Sequence, residues 1–359
     1  MIGYLCATPF HITAAITMQS GQFAGEEATL IILNHFNVDD ALLDRVRQTG
    51  VFDEVLLFDS RYRTRLDNAK RLINAFIPAP LMRRVANRTR FSHFVCFALD
   101  LIDLTYIMKR YERRGIDCEF SFGDDGIGTY IREGIYRPKP IADKLLRLNG
   151  RRAYCDRVTR VYAYKPSFMV ANTEYDVQPI EQSPAACDKR REAVSAIWPL
   201  QEDVPIDGGI LYFEQPNEAD HDSDDQRIEQ QWLRAAADAL GVHTCVKMHP
   251  RSQAKEQWAP FGVLQTTMPY EVLLLQKRCH PALLMTVNST ALFSTYLFDD
   301  LPAAGCPAVL LHKLMAHRND ELIRKTEQLY ARVNDSQAAQ RIYDPDTAEE
   351  LQALLDSVK

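Results

Sequence analysis

The sequence predicts an α/β protein built from two Rossmann-like, doubly wound domains facing across a cleft. Three observations carry this expectation. At 359 residues the chain exceeds what one hydrophobic core usually organises. Its first third alternates short apolar runs with stretches of helical spacing, the pattern of a parallel sheet covered by helices on both faces. A second series of the same kind starts at Gly208-Gly209-Ile210-Leu211-Tyr212-Phe213, after a stretch punctuated by proline.

In chain order, Ile2 to Cys6 reads as a strand, followed by a helix from about Ile12 to Ser20. Thr29 to Leu33 is a second strand, Val38 to Thr49 a helix, and Glu54 to Phe58 a third strand. The apolar run Phe91 to Met108 carries Asp100 and Asp103 and reads as a buried helix, continuing from Leu99 through Tyr111. A strand then ends at Asp124. Between about Arg151 and Val204 the pattern weakens at Pro166, Pro179, Pro184, Pro199 and Pro205, with one helix near Asp188 to Ile197. This stretch reads as an interdomain connection, with domains at 1–180 and 181–359. The second series continues with a helix from Asp225 to Leu240, a strand ending at His249, a strand Leu283 to Val287 and a helix from Ser289. A strand Ala308 to Leu311 and two or three helices close the chain, the last of them a candidate to pack back on the first domain.

Composition excludes several classes. With 46% hydrophobic and 25% charged residues the chain is ordinary for a globular protein. It has no run of about 18 uncharged apolar residues, so no transmembrane helix is expected. The strand at Ile2 follows directly on Met1 without a basic or apolar leader, so no signal peptide is expected. The eight cysteines form no C-x-x-C pair, which suits a reducing cytoplasm and offers no zinc site. Net charge is −6, unevenly spread. Residues 1–180 hold 25 Lys and Arg against 21 Asp and Glu, and the remainder 17 against 27. Nine of the basic residues fall within 61–90, among Leu72, Ile73, Phe76, Ile77, Leu81 and Met82. Such a segment suits an anionic membrane surface, an acidic polymer or simply a solvated helical face.

Chemistry-bearing residues gather at strand ends, where ligands bind in open α/β sheets. Asp124-Asp125-Gly126 follows the strand Glu119 to Phe122. Adjacent residues of a strand alternate faces, so one carboxylate of the pair points readily into a cleft, and its like-charged neighbour favours a general-base pKa. Gly126 permits a sharp turn. The same residues also suit a plain turn or helix N-cap. His249-Pro250 follows the strand Thr244 to Met248, which includes Lys247. The proline biases His249 toward extended backbone, where the imidazole can donate to an anionic leaving group. His280-Pro281 precedes its strand and is the weaker candidate. Ser289-Thr290 opens a helix and offers hydroxyls and backbone N–H groups to a phosphate, or simply caps the helix. In Pro269-Tyr270-Glu271 the carboxylate sits in a first helical turn, where it can accept from ribose hydroxyls or merely complement the helix dipole. No P-loop, G-x-G-x-x-G or G-x-S-x-G motif is present. The acidic run from Asp222 to Asp225 reads as a helix cap in preference to a metal site.

Taken in order, the acidic pair with its glycine, Lys247-x-His249-Pro250, Pro269-Tyr270-Glu271 and the Ser289-Thr290 pair resemble the bacterial sialyltransferases. The likeness is greatest to the lipooligosaccharide sialyltransferase and capsular polysialyltransferase group. Tyr4-Leu5-Cys6-Ala7-Thr8-Pro9-Phe10-His11 is similar to that group's N-terminal strand and loop, and Leu211-Tyr212-Phe213-Glu214-Gln215-Pro216 to the start of its nucleotide domain. The resemblance runs to about residue 300 and leaves the basic segment and the C-terminal 50 residues unmatched. Two positions depart from the pattern: a Ser-Thr pair replaces two serines, and Asp124 stands where Glu is common.

The resemblance implies a GT-B type, inverting, metal-independent glycosyltransferase that moves sialic acid from CMP-sialic acid to a bacterial surface glycan. It implies no cofactor. Asp125 would deprotonate the acceptor hydroxyl and His249 would assist departure of CMP. Ser289 and Thr290 would hold the phosphate and Glu271 the ribose. Asp124, Gly126, Gln215, Pro216, Lys247, Pro250, Thr8 and Pro9 would complete the substrate-binding set. The first domain would serve the acceptor and the second the CMP-sugar. Transfer of another CMP-sugar (Kdo, legionaminic or pseudaminic acid) and a non-catalytic nucleotide- or glycan-binding role are the alternatives. Expected partners are a CMP-sugar donor and a glycan acceptor. Inner-membrane contact through 61–90 and a homodimer are further candidates, and no nucleic acid is expected. A cytoplasmic location, peripheral on the inner membrane face, follows from the same reading.

Overall fold

A computed structural model describes residues 1–58, 79–88, 90–97, 104–131, 140–170, 175–199, 206–214, 223–249, 255–264, 268–276, 280–287, 289–301, 306–315, 320–336 and 341–358. The chain divides into two compact units, Met1–Pro166 with Ala171–Pro199, and Ser167–Val170 with Leu200–Lys359. Each holds one all-parallel sheet.

In the first unit, strands β1 (Ile2–Cys6), β2 (Ala28–Leu33), β3 (Glu54–Phe58), β4 (His93–Cys96), β5 (Glu119–Phe122), β6 (Arg160–Ala163) and β7 (Asp176–Pro179) line up in the order β3-β2-β1-β4-β5-β6-β7. β1 and β2 are buried at every position, as parallel strands covered on both faces must be. Alternate side chains meet different helices. Leu5, Ile31 and Leu33 join Met82, Val85 and Ala86 of α3 (Pro80–Arg88) and Leu104, Ile107 and Met108 of α4 (Leu104–Arg114). On the other face the Tyr4 hydroxyl donates to Gln19 Oε1 on α1 (Pro9–Ser20) at 3.0 Å. Two further helices of this unit, α5 (Ile127–Ile131) and α6 (Pro140–Leu148), follow β5. The strand order reverses between β1 and β4, a topological switch point.

Three expectations need correction here. The run from Phe91 is a strand at His93–Cys96, not the start of a helix; the expected helix is described from Leu104, and residues 98–103 lie outside the described ones. A short fully buried strand and a buried helix look alike by periodicity alone. The weak stretch after Arg151 is no mere connection: it supplies β6 and β7, which complete the first sheet. Pro179 is tolerated because β7 is an edge strand. The compact units also divide at 199/200, whereas the expected boundary lies at 180/181. Helix α7 (Pro184–Ile197) packs against α1 and α2 (Asp40–Gln48) and so belongs with the first sheet.

Of the basic segment 61–90, only 79–88 and 90 are described. There α3 spends Met82, Val85 and Ala86 on the core and leaves Arg83 and Arg84 exposed, with Arg84 paired to Glu54 at 3.2 Å. No described helix is long and apolar enough to cross a membrane.

The second unit's sheet runs β12-β11-β10-β8-β9, from β8 (Ile210–Phe213), β9 (Thr244–Lys247), β10 (Leu283–Thr286), β11 (Ala308–Leu310) and β12 (Ile342–Tyr343). Helices α8 (Ser223–Leu240), α9 (Tyr270–Leu275), α10 (Thr290–Ser294), α11 (Asp320–Asp335) and α12 (Ala348–Val358) complete it. The last helix puts Leu351 and Leu355 into the core of its own unit, beside Leu233 and Ala236 of α8. The strand order reverses between β8 and β10, a second switch point.

Candidate functional site

In the first unit the expected residues Thr8, Pro9, Asp124, Asp125 and Gly126 gather at the carboxyl ends of β1 and β5. Gly123 lies against the Phe97 ring with no room for a Cβ. The chain then turns at Gly126, whose φ of 75° favours glycine. The two aspartates part as strand geometry requires. Asp124 is fully buried. Its Oδ1 accepts from Gly126 N at 2.9 Å, and its Oδ2 from Tyr164 N at 3.0 Å and the Tyr130 hydroxyl at 2.5 Å. Burial pushes its carboxyl up to about 7, against those three donors. Asp124 therefore ties β5, α5 and the end of β6 together.

Asp125 keeps 26% of its side chain exposed. Its backbone N–H donates to Thr129 Oγ1 at 2.8 Å. Its Oδ1 lies 2.8 Å from Nε2 of His11, a residue on the first turn of α1 with only 3% exposure. Thr8 caps that helix, its Oγ1 accepting from His11 N at 3.2 Å. The Ala7 N–H donates to His11 Nδ1 at 3.1 Å, and the imidazole stacks on Phe97 at 5.5 Å between centroids. His11 is a site residue the sequence reading left inside a similar N-terminal stretch without a role. Its position three residues after a threonine–proline helix start was the available signal.

In the second unit, Lys247 and His249 stand at the carboxyl end of β9 and Ser289 at that of β10, the strands on either side of β8, and they are joined through the end of β8. Glu214, buried right after β8, donates its N–H to Lys247 O at 3.1 Å and accepts from His249 N at 2.8 Å through Oε2. On the other side, the Thr286 hydroxyl donates to Phe213 O at 3.1 Å and accepts from Ser289 N at 3.0 Å. Ser289 is the N-cap of α10, its Oγ accepting from Ala291 N at 3.3 Å. Glu271, in the first turn of α9, accepts from Ser294 Oγ at 2.9 Å, and the neighbouring Tyr270 ring packs on Phe213 at 4.6 Å. The three other motifs of this half thus converge on Phe213 and Glu214, which belong to the fourth. Glu214 and Thr286 carry that convergence; the sequence names Glu214 within the Leu211–Pro216 motif but assigns neither residue a role, since buried polar residues at strand ends look like core. Gln215, Pro216, Pro250 and the Thr290 side chain lie outside the described residues.

Thr286 is fully buried, and valine keeps its shape but neither hydrogen bond. Thr286→Val is expected to lower stability by about 2 kcal/mol, the cost of a buried donor and acceptor losing a shared partner. Urea denaturation of the two proteins measures it, and a difference within a few tenths of a kcal/mol counts against the bridge.

No protein-family model and no curated protein matches this sequence. Several solved structures do match. The α/β-galactoside α-2,3-sialyltransferase of the luminous marine bacterium Photobacterium phosphoreum is similar over 96% of this chain and 97% of its own, at 12% identity and a TM-score of 0.53. Arabidopsis thaliana UGT89C1, solved with UDP-L-rhamnose, is similar over 99% and 89% at 10% identity and a TM-score of 0.51. The spinosyn rhamnosyltransferase SpnG, solved with thymidine diphosphate, is similar over 100% and 90% at 10% identity and a TM-score of 0.50. These likenesses establish the fold: two parallel-sheet α/β domains of the GT-B type, as the sequence predicts.

Proposed function

We propose that this chain is an inverting, metal-independent glycosyltransferase that transfers sialic acid from CMP-sialic acid to a hydroxyl of a bacterial surface glycan, lipooligosaccharide or capsule. The observation that carries the reading is the placement of every described motif at a strand's carboxyl end or a helix's first turn, in the order the resembled group has. The fold's likeness to a bacterial sialyltransferase and to two nucleotide-sugar enzymes supports it.

In this reading Asp125 takes the proton of the acceptor hydroxyl. The freed electron pair forms the bond to the anomeric carbon as the carbon–oxygen bond to the CMP phosphate breaks, with inversion. Negative charge then builds on the phosphate, where fixed hydrogen-bond donors matter most. His249 protonates or hydrogen-bonds that phosphate, its backbone held by Glu214, and the hydroxyls of Ser289 and Thr290 bind it. Glu271 accepts from the ribose. Asp124 takes no proton in the reaction; it holds the turn that presents Asp125.

The motifs read the CMP and leave the sugar open, so the test offers several donors. Purified protein with CMP-sialic acid and a panel of lactosides and sialosides is expected to release CMP, and to go on doing so in excess EDTA. Release only with CMP-Kdo, CMP-legionaminic or CMP-pseudaminic acid would move the donor to one of those sugars. CMP binding without release from any donor and acceptor pair would leave a binding protein and sink the transferase reading.

A further inference from the structure

We propose that His11 is a positioning residue: a neutral imidazole that grips Asp125 Oδ1 through its Nε2–H and so turns Oδ2 toward the proton it must take. This rests on the reading of Asp125 as general base and adds a residue to it. The chain of hydrogen bonds fixes the tautomer. The partner of Nδ1 is the Ala7 backbone N–H, at 3.1 Å, which can only donate. Nδ1 therefore carries its lone pair, and the ring proton sits on Nε2, 2.8 Å from Asp125 Oδ1. The ring cannot swing away: it is 3% exposed, stacked on Phe97, and sits on a helix turn capped by Thr8. Thr129 fixes the backbone of Asp125 from the other side.

The same geometry excludes a proton relay. An imidazolium would carry a second N–H on Nδ1, aimed at the Ala7 N–H that now donates to it. The acceptor's proton therefore passes from the hydroxyl to Asp125 and from there to solvent, while His11 exchanges none. A base held on one oxygen by a fixed donor presents the other in a single direction, and misplacing such a group by about 1 Å is enough to cost a hundredfold in rate.

Two measurements test this on the full-length protein. The first is the ring spectrum of 15N-histidine-labelled protein, expected to show His11 as the Nε2–H tautomer near pH 7; an Nδ1–H tautomer or an imidazolium there overturns the proposal. The second is a pair of variants. His11→Gln can still reach Asp125 with an amide N–H, whereas His11→Asn is too short. His11→Asn is expected to lower kcat for CMP release about tenfold to a hundredfold, with unchanged CMP affinity and a folded melting profile. His11→Gln is expected to recover most of that loss. Equal kcat in the two variants overturns the positioning role. Asp125→Asn separates the two failures: if it abolishes turnover while both His11 variants match the wild type, the His11 proposal falls and the base stands. If Asp125→Asn turns over normally, the base reading itself falls, while the tautomer still reports on His11.

Discussion

Asp125→Asn is expected to lower turnover by about 10²–10⁴-fold, the usual contribution of a positioned general base, while CMP still binds. The amide keeps the shape of the carboxylate, and its oxygen can still accept from His11 Nε2. It has no lone pair basic enough to take a hydroxyl proton. Because Asp125 is partly exposed, the exchange should leave the melting temperature nearly unchanged. The motifs proposed to bind the donor all lie in the second unit, so CMP affinity measured by titration calorimetry should be that of the wild type. Turnover within a few-fold of the wild type would move the base elsewhere, and a parallel loss of CMP binding would indicate a disturbed fold.

Asp124→Ala is expected to act in the opposite way, through stability. It takes the acceptor from Gly126 N, Tyr164 N and the Tyr130 hydroxyl at once. At about 1–3 kcal/mol for each buried donor so deprived, a loss of about 3 kcal/mol or more is expected, a large share of a typical domain's stability. The pH dependence supplies a second reading. Burial raises the folded-state pKa of Asp124 to about 7 from the ordinary carboxylate value of 3.8. A group raised in this way favours the folded state fully below its unfolded pKa, and the contribution is lost as pH rises through the folded value. Stability should therefore fall between pH 4 and 7. Glu229, which accepts from the Tyr212 hydroxyl and is likewise pushed by burial to about 7, contributes over nearly the same window. Urea denaturation across that range should show a shallower fall in the variant, by the share that belongs to Asp124. An unchanged slope, or a loss under about 1 kcal/mol, counts against the arrangement.

Two apolar strands of the first sheet were legible in the sequence, one buried throughout and one buried only at Val55 and Phe58. Ile2 to Cys6 and Glu54 to Phe58 have the predicted ends, because a continuous apolar run between turn residues has few other uses. His93–Cys96 was not legible, since its run continues unbroken toward α4 and the register that makes it a strand is set by β1 and β5 on either side. β7 was hidden for the opposite reason: as an edge it is polar, with Asp176, Gln178 and Pro179 in four residues. At the candidate site the sequence supplies the residues that chemistry names, such as Asp125, His249, Glu271 and Ser289. It does not supply the residues that hold them. His11 lies 114 positions from Asp125, and Glu214 lies 35 from His249; only the parallel stacking of strands brings such pairs together.

The convergence on Phe213 and Glu214 sets how freely this half of the molecule can diversify. A residue that shifts the end of β8 moves the histidine loop through Glu214 and the serine helix through Thr286 together. Substitutions around it should therefore be strongly non-additive, as groups sharing one network are. New specificity is more readily acquired at loops that hang outside this junction than within it. A lineage can change what it recognises by rewriting those loops while inheriting the junction whole.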